Sequence, residues 1–119
     1  MSASQIAREL ERAQKAKTEA EKKTGEYRTL ESQKRMAAEK ALESAGKTTS
    51  DSTRRMRISE HGRRLKEAQD AGKKATQWQK KASDAAKKVS DLTTRLTKAQ
   101  SDEAAKAEKK RAAEHDKAM

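Results

Sequence analysis

The sequence predicts an all-α protein: a long antiparallel two-helix coiled-coil hairpin with a C-terminal helical overhang. Three observations carry this. The chain of 119 residues has no Pro and no Phe, and 41% of it is Asp, Glu, Lys or Arg. Such a chain, rich in Ala, Lys, Glu, Gln and Arg, favours long helices. Apolar residues recur at spacings of three and four on both sides of one polar stretch. That stretch, residues 45–52, reads Ala-Gly-Lys-Thr-Thr-Ser-Asp-Ser and contains no bulky apolar residue. The expected organisation is a single module over 1–119. It has a helix over 3–45, a turn over 46–51 and a helix over 52–117 whose apolar stripe fades after about residue 100.

The first helix opens on Ser2 and Gln5, at the spacing of a capping box, in which a hydroxyl covers an orphan amide and the Gln reaches back. Its stripe runs through Ile6, Leu10, Ala13, Ala16 or Lys17, Ala20, Tyr27, Leu30, Ala37 and Ala41. Glu11–Lys15 and Glu19–Lys23 have the spacing of intrahelical ion pairs. Gly46 is expected to end the helix, because Gly adopts the left-handed cap conformation.

Thr48, Thr49, Ser50 and Asp51 are all competent helix caps, and Ser50 is the preferred one. The second stripe comprises Met56, Ile58, Leu65, Ala68, Ala71, Ala75, Trp78, Ala82, Ala85, Val89, Leu92, Leu96 and Ala99. From Ala71 onward it alternates in steps of four and three. Folding the chain at the turn makes the numbers of facing residues add to about 97. Intra-hairpin packing is then expected at Ile6, Leu10, Gly25, Tyr27, Leu30, Leu65, Gly72 and Trp78. Gly25 lies level with Gly72, Ile6 and Leu10 lie near Val89, and Trp78 lies over Ala16 and Ala20. Residues beyond about Asp91 have no partner in this register. Val89, Leu92, Leu96 and Ala99 therefore become the expected self-association surface, covered by a second copy or by a domain of a larger parent chain.

No catalytic constellation emerges, and the expectation is a non-enzymatic protein without cofactor or metal. Gly46-Lys47-Thr48 resembles the end of a phosphate-binding loop, but Ala41 stands where that loop needs Gly, and a helix rather than a strand leads in. His61 and His115 are far apart, and there is no Cys. The sequence predicts no membrane span and, from the charged start MSASQIAREL, no signal peptide, hence a cytoplasmic location. A net charge of +11 favours anionic partners. Positive charge is densest over 54–66, where Arg54, Arg55, Arg57, Arg63, Arg64 and Lys66 stand against Glu60 alone. Arg54, Arg57, His61 and Arg64 share a face at three–four–three spacing. These residues are the candidate site for nucleic acid or another polyanion. Such contact would be backbone-directed and salt-sensitive, since aromatic residues for base stacking are nearly absent.

The turn residues Ser50-Asp51-Ser52-Thr53-Arg54-Arg55, with the Lys-Lys-Ala repeats at 73–75 and 80–82 and Ala-Lys-Lys at 86–88, resemble helical-hairpin segments that precede effector domains such as TIR in bacterial multidomain proteins. The resemblance covers most of the chain and is compositional. It implies self-association or partner sensing within a longer chain. In layout the basic two-helix arm is also similar to the tRNA-binding arm of seryl-tRNA synthetases.

Overall fold

A computed structural model describes residues 1–118; Met119 lies outside the described residues. It is a helical hairpin with no strand among the described residues: α1 spans Ala3–Lys47 and α2 spans Asp51–Ala118. The expected caps are in place. Gln5 N donates to Ser2 Oγ at 3.2 Å and Ser2 N donates to Gln5 Oε1 at 3.0 Å, the reciprocal capping box. Thr53 N donates to Ser50 Oγ at 3.4 Å, so Ser50 caps α2. Asp51 opens the helix beside it, where a carboxylate favours the helix dipole.

The reversal is tighter than expected. Only Thr48, Thr49 and Ser50 lie between the helices. Gly46 is not a left-handed cap: no described residue has positive φ, and α1 continues through Gly46 to Lys47. Ser50 N instead donates to Thr48 Oγ1 at 3.2 Å, a hydroxyl-supported turn.

By its internal contacts the chain forms two compact units. One joins Met1–Thr18 to Ser83–Met119; the other is the continuous stretch Glu19–Ala82. In the first unit Ile6, Ala13 and Leu92 form a buried cluster, with Leu10, Val89, Leu96 and Ala99 packed on it. Ala3 N donates to Glu103 Oε1 at 2.9 Å, and beyond Glu103 the remaining described residues of α2 are exposed. The overhang therefore begins near residue 104, not near Asp91. The expectation that Leu92, Leu96 and Ala99, beyond Asp91, lack a partner within the chain is overturned, and Val89, expected near Ile6 and Leu10, packs on the same cluster. Ile6, Leu10 and Ala13 cover them, and Leu92 is only 3% exposed.

The Glu19–Ala82 unit is closed by small residues. Ala20, Ala38, Ala41 and Ala45 are buried on α1, and Ala68, Ala71 and Ala75 on α2. Facing pairs are displaced from the expected register. Ala38 meets His61, Lys34 meets Glu67 and Glu31 meets Gly72, where a sum of 97 would have chosen Ser59, Arg63 and Lys66. The displacement has a physical cause. Helical side chains lean toward their own N-terminus. In an antiparallel pair those of α1 lean away from the turn and those of α2 toward it, so residues that touch lie at a higher α2 number than residues that are merely level.

Several expected packing contacts are consequently absent or only partial. Gly25 is exposed with open space around it, and Gly72 is buried against Glu31, so the two glycines do not meet. Leu30 is 37% exposed. Ala16 is exposed and so is not under an indole. Trp78, Tyr27 and Leu65 are half-buried. The rings of Trp78 and Tyr27 sit beneath ammonium groups, Lys81 Nζ at 4.3 Å and Lys74 Nζ at 5.6 Å from the centroids.

Candidate anion-binding surface

The seam between the helices keeps a strict four–three rhythm. On α1 within the Glu19–Ala82 unit the residues removed from solvent in this rhythm are Ala20, Thr24, Tyr27, Glu31, Lys34, Ala38, Ala41 and Ala45. On α2 they are Arg57, His61, Arg64, Ala68, Ala71, Ala75 and Trp78. Polar residues thus occupy seam positions near the turn, while Met36, Leu42, Met56 and Ile58 are 49% to 60% exposed.

This arrangement divides the predicted basic cluster. Arg54, Arg57, His61 and Arg64 share a face, as the spacing indicated, but from Arg57 on that face is the seam. His61 Nδ1 lies 2.8 Å from Ala38 O, and since a carbonyl only accepts, that nitrogen carries the hydrogen. Arg57 Nη1 donates to Glu60 Oε2 at 3.1 Å. Arg64 lies 3.7 Å from Glu67 and 4.0 Å from Glu60. Lys34 reaches across from α1 to Glu67 Oε2 at 2.7 Å. The hydrogen bond from Lys34 is the leading cause that holds the Glu67 carboxyl below its ordinary range; the charges of Lys34, Arg64 and Arg63 add to it. Arg54 is spent on the turn, donating to Thr48 O at 2.9 Å and Asp51 Oδ1 at 3.2 Å. Arg55 Nε donates to Asp51 O at 3.5 Å.

What remains outward is a different set. From Asp51 to Ala82, α2 carries ten basic and four acidic residues; α1 from Glu19 to Lys47 carries seven and six. Of the four acids on α2 between Asp51 and Ala82, Glu67 is paired with Lys34 across the seam, Glu60 with Arg57 and Arg64 on its own helix and Asp51 with Arg54, so Asp70 alone is left on the open side. Arg63, Lys66, Lys73 and Lys80 are exposed and make no ion pair among the described residues. Lys66, Lys73 and Lys80 repeat every seven residues, about 10.5 Å apart on a helix. Arg63 and Lys66 belong to the basic run legible over 54–66, whereas Lys73 and Lys80 lie beyond it. Extending the seam's seven-residue count to the opposite side of the helix finds them.

Among the described residues no cluster of His, Cys, Asp and Glu could hold a metal ion, and no helix is long and apolar enough to cross a membrane. Comparison of the chain with protein-family models, with curated proteins and with solved structures finds no match in any of the three.

Proposed function

We propose that the chain is a non-enzymatic helical arm that binds nucleic acid through its phosphate backbone, along the outward face of α2 between Arg63 and Lys80. The observation that carries this reading is the separation of charge on one helix. Glu60 and Glu67 are taken up by Arg57, Arg64 and Lys34, while Lys66, Lys73 and Lys80 on the outward side pair with no carboxylate among the described residues. A lysine row on a rigid helix suits a regular line of phosphates. Trp78 is half-buried beneath Lys81, so base stacking has no platform on this face and recognition is independent of base sequence.

The test is binding of a fluorescent RNA or DNA duplex at several salt concentrations. Each phosphate contact contributes about 0.9 to the slope of log K against log salt. Substituting Arg63→Gln, Lys66→Gln and Lys80→Gln together is expected to lower that slope by about 2 to 3. A wild-type chain that ignores duplexes at low salt, or a triple variant with the wild-type slope, refutes the reading.

A second reading, a self-associating scaffold within a longer bacterial effector chain, is favoured by Met36, Leu42, Met56 and Ile58. These large apolar residues stand half-exposed or more in the Glu19–Ala82 unit. On this reading the contact moves to those residues and away from Val89, Leu92, Leu96 and Ala99. Sedimentation of the wild type beside Leu42→Asp with Ile58→Asp separates the two readings. An oligomer that the double variant abolishes supports the scaffold, and a monomer in both removes it.

A further inference from the structure

A notch of about 540 Å³ opens in the Glu19–Ala82 unit, and Arg28, Glu31, Arg35, Gly72, Lys73 and Thr76 are among its lining residues. Three cations stand there against one carboxylate, which leaves the notch with a formal charge of +2. The donors are under-used. Arg28 Nη1 lies 3.3 Å from Glu31 Oε1, and Arg35 Nη2 lies 3.5 Å from Glu31 Oε2. Arg28 Nη2 donates to Gln79 Oε1 at 3.3 Å and to Thr76 Oγ1 at 3.5 Å. The two contacts to Glu31 are longer than the roughly 2.7–2.9 Å of a well-formed bond between guanidinium and carboxylate. Lys73 has no ion pair among the described residues. Gly72 contributes no side chain, and the Glu31 carboxylate lies in the space it leaves.

We propose that this notch binds a phosphate dianion. Arg28 and Arg35 grip its oxygens, Lys73 supplies the third charge, and Glu31 is the internal anion that holds the two guanidinium groups until the ligand arrives. A tetrahedral dianion offers acceptors in several directions at once. A planar carboxylate shared between two arginines at 3.3 and 3.5 Å does not satisfy them. The site needs one phosphate group. It shares Lys73 with the duplex-binding face but uses neither Lys66 nor Lys80, and it depends on Arg28 and Arg35 of α1, which that face does not use. The phosphate has two possible sources, free phosphate or the 5′-terminal phosphate of a nucleic-acid strand.

Calorimetric titration of the whole chain with inorganic phosphate, against chloride at matched ionic strength, tests the proposal. One saturable site per chain is expected. Arg35→Ala is expected to weaken it about tenfold or more, the effect of losing a hydrogen bond to a charged group. Arg35→Lys, which keeps the charge, and circular dichroism of each variant separate loss of the site from loss of the fold. Glu31→Gln is expected to tighten binding several-fold, because the competing carboxylate is gone. Arg63→Gln with Lys66→Gln and Lys80→Gln is expected to leave phosphate binding within about twofold, since screening weakens charge at this range. Absence of a saturable site, unchanged affinity in folded Arg35→Ala, or weaker binding by Glu31→Gln overturns the proposal. Paired 5′-phosphorylated and 5′-hydroxyl strands identify the source. Preference for the phosphorylated strand that Arg35→Ala abolishes assigns the site to strand ends, and equal binding of the two strands assigns it to free phosphate.

Discussion

The carboxylate of Glu31 on α1 occupies the volume that a side chain at Gly72 of α2 would take. A Cβ built on Gly72 collides with Glu31 Oε2, whereas one built on Gly25 or Gly62 meets nothing within 4 Å. Glu31 is thereby held at the centre of an ion-pair group with Arg28 and Arg35, its side chain only 19% exposed.

Glycine substitutions should therefore diverge. Mid-helix Gly costs about 1 kcal/mol relative to Ala. Gly25→Ala and Gly62→Ala are expected to recover most of it, with a matching rise in the urea midpoint. At Gly72 the same gain is offset by ejection of Glu31 from its two arginines, so Gly72→Ala should be close to neutral. Equal stabilisation at all three positions would show that Glu31 is not anchored there.

Leu92 is buried against Ile6 and Ala13. Leu92→Ala should destabilise by about 2–3 kcal/mol, the lower part of the range for buried leucine. Met56→Ala, at 60% exposure, should stay within about 0.5 kcal/mol. A double-mutant cycle between Ile6→Ala and Leu92→Ala should give a coupling of at least about 0.5 kcal/mol. Additive effects would deny the contact. Leu92→Asp with Leu96→Asp should loosen the pairing of Met1–Thr18 with α2 itself.

Arg57 occupies a seam position where a packed coiled coil carries an apolar side chain, and its buried Nε finds no hydrogen-bond partner. Arg57→Leu is expected to raise stability by about 1 kcal/mol, since it removes an unmet donor and adds apolar contact. A lower thermal midpoint for this variant would mean that the Glu60 contact at 3.1 Å outweighs both effects.

Glu67 makes acid stability directional. Lys34 leads in holding its carboxyl below the ordinary range in the folded chain. A group whose folded value is depressed stabilises the fold above its unfolded value and loses that contribution as pH falls through the folded one. Wild type should therefore lose stability as pH drops below the ordinary carboxylate range, and Glu67→Gln should lose less over the same interval. Parallel pH profiles in urea denaturation would contradict the assignment.

Much of the hairpin was legible along the chain because its signals are local. Ser2 with Gln5 and Ser50 with Thr53 are pairs three residues apart, and they form the caps that their chemistry indicates. The absence of Pro and the four–three recurrence of alanine set two long helices with a break at the polar stretch. Glu11–Lys15 likewise closes at 3.3 Å on its own helix.

What lay beyond local reading was the pairing across the seam. Hydrophobicity pointed to Leu30 and Ala37, but the seven-residue rhythm places Glu31, Lys34 and Ala38 at the interface, and Leu30 is left exposed. The basic run over 54–66 looked like one surface. The structure draws Arg57 and Arg64 into the seam beside Glu60 and Glu67 and leaves Arg63 and Lys66 outside. The candidate phosphate notch joins Arg28 and Arg35 on α1 to Lys73 on α2, residues separated by the whole turn. The sequence by itself determined where helices begin, end and carry charge, because capping and propensity act within a few residues. Only the tertiary structure decided which charges are neutralised and which Leu is covered. Those depend on the lean of side chains between antiparallel helices, a displacement of a few residues that moves a cation from the seam to the surface.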